Sequence, residues 1–189
     1  GDQLLEIGCG WGGFMEEALR NGNQVTGLTL STEQKAFADT RLQKVNAEVG
    51  NKQKYEVRLQ DYRDCTEQFD GIASIEMFEA VGEAYWDSYF ECVAKRLKPH
   101  GRACIQTITI DDALFARYRK GTDFIQQYIF PGGMLPSPSV FARMAREHGL
   151  QVKHERRFGL VHVDYATQQR TLKDSALRYR AFIASQRKR

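Results

Sequence analysis

The sequence predicts an α/β protein in which a doubly wound, mostly parallel sheet carries helices on both faces. Two observations predict this class: short apolar runs of strand type alternate with segments of helical period, and a glycine-rich turn follows the first run and opens a helix. The size agrees, because 189 residues with 42% hydrophobic and 27% charged residues are typical of one globular domain. We therefore expect a single domain over residues 1–189. The chain starts directly in a strand-like run, which predicts a missing upstream segment.

The first half of the chain alternates strand and helix. Strands are predicted at residues 4–8, 24–30, 54–60 and 69–75. A helix over residues 13–22 separates the first two strands and closes on Gly22. A second helix starts at Ser31, with Gln34 at the capping-box position, and ends at Gly50.

The second half continues the alternation. An apolar stripe at helical spacing predicts a helix that ends before Pro99, and it is formed by Trp86, Phe90, Val93 and Leu97. Residues 102–110 read as the next strand, and Ser137 with Pro138 starts a helix that stops at Gly149. A further strand is expected at residues 150–158, and a last helix carries Leu172, Ala176, Tyr179 and Ile183. In such sheets ligands bind beyond the carboxyl ends of the strands, near the switch point.

Charge and cysteine content narrow the function classes. Residues 1–100 carry 11 basic and 17 acidic side chains, whereas residues 101–189 carry 16 basic and 7 acidic ones. The basic half is either a solvated surface or a surface that attracts an anionic membrane, and no nucleic-acid-binding motif accompanies it. The four cysteines have no paired spacing and no histidine cluster, so we expect reduced thiols and no metal site. No apolar stretch approaches the length of a membrane span.

The motif LLEIGCGWGG is the strongest signal for a ligand. Gly8, Gly10 and Gly13 also satisfy the dinucleotide fingerprint GxGxxG, so a nicotinamide cofactor is the rival interpretation. Glu6, two residues before the first glycine, suits a ligand with an amino group, such as the methionine part of S-adenosylmethionine (SAM). The second strand ends in TGLTLS without the acid expected for the ribose of NAD. The residues favour SAM.

With these motifs assembled, the chain resembles the cyclopropane-fatty-acyl-phospholipid synthase family, which includes the mycolic acid cyclopropane synthases. The matching stretches are LLEIGCGWGG, GLTLSTEQ, DYRD, FDGIASIEMFEAVG, LKPHGRACIQTI, FIQQYIFPGGMLPS and DYAT. The resemblance implies a Rossmann-like SAM methyltransferase fold, from which the family's last antiparallel strand is missing here. It also implies a cofactor site made of Glu6, Gly8, Cys9, Gly10, Gly12, Thr29, Leu30, Gln34, Asp61 and Tyr62.

The resemblance also explains the acids of the stretch SIEMFEAVG. In the family a bicarbonate, held by a Glu, a His, an Ile backbone group, a Tyr and an upstream Cys, takes a proton from the alkylated acyl chain. Glu79, Ile108 and Tyr165 match three of these positions, and Gln106 stands where the family has His. The upstream Cys has no counterpart in this chain. Glu76 is interpreted as a charge at a helix start.

The implied activity is transfer of a methyl or methylene group from SAM to the double bond of an unsaturated fatty acyl chain, forming a cyclopropane in a phospholipid. Because an amide cannot exchange a proton as His does, a methyl- or methylene-branched product is an alternative. A SAM-binding module without catalysis and a methyltransferase for a soluble small molecule are two others. Aromatic and apolar residues of 115–135 either line an acyl tunnel or form core. The resemblance implies a cytoplasmic enzyme in peripheral contact with the inner face of the membrane, and a homodimer is compatible with it.

Overall fold

A computed structural model describes residues 1–50, 52–122 and 124–152, and the backbone of residues 161–163 and 170–172. The chain divides into two compact units, Gly1–Gln151 and Val152–Arg189. The expectation of a single domain over residues 1–189 stays a prediction. Among the described residues, no helix combines the length and the apolar content needed to cross a membrane.

The first unit is built on a five-stranded parallel sheet. Its strands are β1 (Gln3–Ile7), β2 (Gln24–Thr29), β3 (Tyr55–Leu59), β4 (Phe69–Ile75) and β5 (Leu97–Gln106). Their spatial order is β3-β2-β1-β4-β5, so the direction of winding reverses between β1 and β4. All four strand pairs are parallel. The prediction of a doubly wound, mostly parallel α/β fold is confirmed.

Five α-helices belong to this unit. They are α1 (Gly13–Arg20), α2 (Thr32–Glu48), α3 (Trp86–Arg96), α4 (Asp112–Tyr118) and α5 (Pro138–Glu147). Short 3₁₀ turns occupy Tyr62–Asp64, Phe78–Ala80 and Glu83–Tyr85, and a π-helical turn spans Ile125–Ile129. In the second unit, β6 (Val161–Val163) pairs antiparallel with β7 (Arg170–Leu172).

The predicted strand over residues 102–110 is shifted in the structure, since β5 begins at Leu97 and ends at Gln106. Helix α3 stops at Arg96 because the residue before Pro99 is driven out of the α region. A register shift then separates the Phe69–Leu97 pair from the Gly71–Arg102 pair, so the residues between them bulge.

Two further element predictions are wrong in the described residues. Leu150 is not in a strand, because its N–H is bonded to the carbonyl of Ala145 behind the left-handed Gly149 (φ 79°), which ties it to the end of α5. Leu172 lies in strand β7 and not in a helix. Residues 153–158 and the remaining residues of the expected last helix lie outside the described residues.

The start of α2 follows the prediction only in part. The Ser31 hydroxyl accepts the Gln34 N–H at 3.1 Å, as a capping box requires. The reciprocal bond is absent, because the Ser31 N–H is bonded to Thr29 Oγ1 at 3.1 Å. The Thr29 hydroxyl donates to the side-chain amide oxygen of Gln34 at 2.7 Å, so these two side chains are hydrogen-bonded to each other.

An aromatic cluster holds the segment that follows β4. The ring of Phe78, which is fully buried, lies 4.8 Å from that of Tyr89, 5.2 Å from that of Phe141, and 5.5 Å from those of Trp86 and Phe90. Such offset and edge contacts add to the free energy gained by burying the rings. The next residue along the chain, Glu79, is therefore carried on a rigid turn.

Replacing Phe78 by Ala should lower the free energy of unfolding by about 3–5 kcal/mol, because it leaves a cavity among four rings. Phe37, whose ring is 54% exposed, provides the matched control, and its Ala variant should change stability far less. Denaturant unfolding monitored by circular dichroism measures both. Equal losses in the two variants would contradict the role of this cluster.

Candidate active site

A cleft of about 500 Å³ opens at the carboxyl ends of the strands, beside the point where the sheet reverses its winding. Six residues of the predicted cofactor site line it: Gly8, Thr29, Leu30, Gln34, Asp61 and Tyr62. The four others, Glu6, Cys9, Gly10 and Gly12, do not. The cleft therefore lies where ligands bind in sheets of this kind.

The glycine turn brings the backbone of β1 against the β4 side of the cleft. Gly8 has a φ of 78°, and a Cβ there would stand 2.7 Å from the Cγ of Met77. Gly12 has a φ of 77°, and a Cβ there would press on Ala38 of α2 at 3.1 Å. Only glycine fits both the backbone conformation and the space at these positions. The turn thus presents bare backbone to the cleft at Gly8.

Glu6 is a buried carboxylate next to this turn. It is 4% exposed, and its Oε2 atom has no hydrogen-bond partner among the described residues. Desolvation raises the pKa of this carboxyl to about 8, although a hydrogen bond with the Met15 backbone opposes the rise. An unpaired buried carboxylate favours a nearby cation, and a ligand with an ammonium or sulfonium group would be one.

Cys9 is not a reactive thiol. It is 3% exposed, and burial, reinforced by the charge of Glu6, raises the pKa of the thiol to about 12. Its contribution comes from the backbone, whose N–H donates to the carbonyl of Leu28 at 2.8 Å. This bond fixes the turn against the end of β2.

Asp61 and Tyr62 form the wall opposite the glycine turn. Asp61 caps the 3₁₀ turn by accepting the Arg63 N–H at 2.9 Å, and its carboxylate also binds the Arg63 guanidinium at 2.7 and 2.9 Å. These side-chain bonds lower the pKa of the Asp61 carboxyl. The same guanidinium lies 5.9 Å from the ring centre of Tyr62 and 5.5 Å from that of Tyr85.

Glu79 lies behind this cleft and is held by two hydrogen bonds. It is 7% exposed, its Oε1 atom accepts the backbone N–H of Ile108, and its backbone carbonyl accepts the N–H of Met134 at 3.2 Å. Its Oε2 atom is buried without a partner among the described residues. The structure therefore brings Glu79 and Ile108 together and leaves one carboxylate oxygen free to accept a hydrogen bond.

The PGG turn packs directly on this segment. A Cβ at Gly133 would stand 2.5 Å from the Glu79 carbonyl oxygen, and a Cβ at Gly82 would stand 2.7 Å from that of Gly132. Pro131 and Gly132 also line the cleft. The two glycines allow main chain to meet main chain, so this turn and the Glu79 turn form one wall.

Gln106 ends β5 opposite Ile75 of β4. Its amide nitrogen donates to Glu76 Oε1 at 3.1 Å, and its backbone carbonyl accepts the Glu76 N–H at 3.0 Å. Glu76 precedes the 3₁₀ turn and has a φ of 50°, so the expectation of a simple charge at a helix start leaves out its bond to Gln106. Tyr165 lies outside the described residues, and its role stays a prediction.

Sequence reasoning missed several residues of the cleft, namely Gln60, Arg63, Met77, Val81 and Tyr85. Arg63 was within the quoted motif DYRD, where a cation between two acids was the available signal. Tyr85 had none, because it approaches Arg63 only once α3 has folded against the 3₁₀ turn at Tyr62–Asp64.

Comparison with known proteins identifies the class. A family model described as mycolic acid cyclopropane synthetase matches residues 1–181. The cyclopropane-fatty-acyl-phospholipid synthase of Escherichia coli K12 is 38% identical over 154 residues, which are 78% of this chain and 36% of that protein. The tuberculostearic acid methyltransferase UfaA1 of Mycobacterium tuberculosis is 38% identical over 153 residues, 80% of this chain and 35% of that protein.

Solved structures agree. The cyclopropane synthase MmaA2 from Mycobacterium tuberculosis superposes with a TM-score of 0.70 at 28% identity, covering 82% of this chain and 56% of that one. The mycolic acid cyclopropane synthase CmaA1, complexed with SAH and CTAB, gives 0.65 at 31% identity with the same coverage. A geranyl diphosphate C-methyltransferase from Streptomyces coelicolor, at 22% identity, shares the fold alone.

The architecture is that of the SAM-dependent methyltransferases, with the cleft at the switch point of the sheet. More narrowly, this chain belongs to the mycolic acid cyclopropane synthetase family. The family resemblance drawn from the motifs is thereby confirmed. The chain spans about a third of the length of these two curated relatives.

The buried Glu6 should make stability depend on pH. The pKa of its carboxyl is about 8 in the folded chain, against an ordinary value of 4.5, so between these pH values the folded chain binds more protons than the unfolded chain. The free energy of unfolding should fall as pH rises through this window, by about 1.4 kcal/mol at most for each unit of pKa shift. Replacing Glu6 by Gln should remove this contribution.

Denaturant unfolding of the parent and of Glu6→Gln at pH 5 and pH 8.5 measures the effect. Glu17→Gln, on the exposed face of α1, provides the matched control and should keep the parent's pH dependence. A Glu6→Gln variant whose stability falls with pH as steeply as the parent's would contradict the assignment.

Proposed function

We propose that the protein transfers a one-carbon unit from SAM to the double bond of an unsaturated fatty acyl chain, in a phospholipid, and forms a cyclopropane. The observation that carries the proposal is the buried Glu79 carboxylate, which lies next to a SAM-type cleft and whose Oε2 atom has no partner among the described residues. Membership of the family supports the same reaction, because the relative from Escherichia coli is named as such a synthase.

The residues present fit SAM. When bound, SAM supplies an electrophilic methyl group with a sulfide as its leaving group. The bare backbone at Gly8 would admit the methionine part, and the unpaired Glu6 carboxylate would favour its positive charge through the turn. Thr29 and Gln34 would face the ribose, and Tyr62 would offer its ring to the adenine.

The remaining chemistry is removal of a proton. Once an alkene carbon has bonded to the transferred methyl carbon, the acyl chain carries a positive charge, and loss of a proton from that methyl closes the ring. The Glu79 carboxylate follows the carboxyl end of β4, where it could assist this loss of a proton. Its Oε2 atom, which has no partner in the described residues, would accept a hydrogen bond from a bicarbonate hydroxyl. Gln106 and Ile108 would border such an anion, with their own N–H groups bonded to Glu76 and Glu79.

The branched product is the second candidate, and a specific observation favours it. Gln106 stands where the resemblance expects His, and its amide nitrogen is already engaged by Glu76. An amide neither gains nor loses a proton near neutral pH, so deprotonation would rest on Glu79 and any anion it holds. The methyltransferase UfaA1 is as similar to this chain as the synthase from Escherichia coli.

The acyl substrate would approach along the segment before the PGG turn. Three aromatic side chains there are largely exposed, Phe124 at 66%, Tyr128 at 64% and Phe130 at 46%. These three do not form core in the described part of the chain, and for them we adopt the acyl-binding interpretation. Phe115, in contrast, stacks on the buried Trp86 at 6.4 Å and packs with the core. The basic residues of the second half would attract anionic headgroups, and we propose that the reaction takes place in the cytoplasm at the inner membrane face.

The full-length protein, incubated with methyl-deuterated SAM and vesicles of an unsaturated phospholipid, tests the function. We expect SAH to accumulate and the acyl chain to gain one labelled CH₂ while losing its double bond, as measured by mass spectrometry. A labelled chain that keeps a double bond would establish the branched product instead. SAM binding without acyl turnover would leave a binding module only.

Replacing Glu79 by Gln should lower turnover by about 10²–10⁴-fold, because the carboxylate that organises proton removal is lost. SAM affinity, measured by calorimetry, should stay within twofold of the parent's, since Glu79 does not line the cleft. Glu91→Gln in α3 is the matched control and should keep full turnover, because Glu91 lies on the surface and its ion pair in the described part of the chain is with Lys95. Full turnover in Glu79→Gln would sink the assignment.

A further inference from the structure

Glu76 and Glu79, which follow β4, each accept a hydrogen bond from one residue at or just after the end of β5. Glu79 accepts the backbone N–H of Ile108, and Glu76 accepts the side-chain N–H of Gln106 at 3.1 Å. The role proposed above uses only the first of these contacts. The second joins an exposed acid to the residue that replaces the expected His.

The backbone at Glu76 indicates that this contact is more than a surface hydrogen bond. Its φ of 50° is in the left-handed region, which is costly for a residue with a side chain. Such strain persists where surrounding bonds determine it, and it clusters at functional sites. Here Glu76 binds Gln106 twice. Its backbone N–H donates to the backbone carbonyl oxygen of Gln106 at 3.0 Å, and its carboxylate accepts the side-chain N–H of Gln106.

The contact also determines which way the Gln106 amide faces. An ionised carboxylate only accepts hydrogen bonds, so the NH₂ end of the amide has to point to Glu76. The carbonyl oxygen, at the other end of the amide, is then directed away from Glu76. In the described part of the chain no hydrogen bond to that oxygen is formed.

We propose that Glu76 is a positioning residue that acts through Gln106. Its carboxylate fixes the amide so that the carbonyl oxygen, and not the NH₂ group, is offered to the deprotonation site at the Glu79–Ile108 contact. This proposal rests on the proposed function and adds a second acid to it. The pair would supply a fixed acceptor where a His would supply an exchangeable proton.

The test compares three variants of the full-length protein. Glu76→Gly removes the carboxylate and suits the left-handed backbone, so it should not lower the Tm. Glu76→Gln keeps the shape without the charge. His100→Gly is the matched control, because His100 is the other non-glycine residue with positive φ in the described residues and lies at the amino end of β5.

We expect Glu76→Gly to lower kcat for the vesicle substrate by about tenfold or more, with KM and SAM affinity within twofold, because misplacement near the reacting groups mainly affects turnover. Glu76→Gln should lose less. The side-chain ¹H–¹⁵N resonance of Gln106 should move in both Glu76 variants and stay in place in His100→Gly. In a Gln106→Ala background the further change Glu76→Gly should have no effect on kcat.

Several results would overturn the positioning role alone. These are an active parent with kcat unchanged in Glu76→Gly, a Gln106 resonance that does not move, or a full additional loss in the double variant. A parent that releases no SAH from any unsaturated phospholipid would instead overturn the proposed function, and this proposal with it. A loss of Tm in Glu76→Gly together with unchanged kcat would reduce Glu76 to a structural residue.

Discussion

The contact between the Glu79 carboxylate and the backbone N–H of Ile108 is the constraint on which the site depends. A carboxylate that is 7% exposed has lost most of its hydration, and this one recovers only part of it from a single N–H. The rest of the site keeps it in place. The aromatic cluster around Phe78 fixes the turn that carries Glu79, and Gly133 packs on the Glu79 backbone carbonyl oxygen. Burial without full hydrogen bonding is a cost that a purely structural residue would have no reason to bear.

The same reasoning applies to Glu6, which lies in β1 just before the glycine turn. Both acids are buried, and each has an Oε2 atom without a partner in the described residues. Glu6 lies in β1, and Glu79 lies in the 3₁₀ turn that follows the neighbouring strand β4. A positive charge close to Glu6 would favour the ionised form of its carboxyl, and the proposed sulfonium donor would bring such a charge. The environment that makes these groups unfavourable in the isolated protein therefore favours the charges that the proposed reaction brings to them.

Much of this could be predicted from sequence because it is encoded locally. Alternating apolar runs predicted the strands, and the glycine turn predicted its own backbone conformation. The position of Glu79 relative to the sheet came from the family resemblance. What failed depended on partners distant in sequence. Leu97 pairs with Phe69 across the sheet, so β5 starts earlier than its local pattern indicates. The Ser31 N–H, expected to bond with the Gln34 side chain, donates to the Thr29 hydroxyl instead. The hydrogen bond between Glu76 and Gln106 requires β4 and β5 to be aligned.

Gln106, which stands where the family has a titratable His, would change how the proposed reaction ends. With His, the one proton lost by the acyl cation could be passed on to solvent. With an amide held by Glu76, Glu79 is the only other ionisable side chain among the described residues that accepts a hydrogen bond from the segment of Gln106 to Ile108. The fate of the cation would then be decided by geometry: the carbon nearest the Glu79 Oε2 atom loses its proton first. Ring closure follows if that carbon is the added methyl, and a branched chain follows if the charge has already moved along the chain.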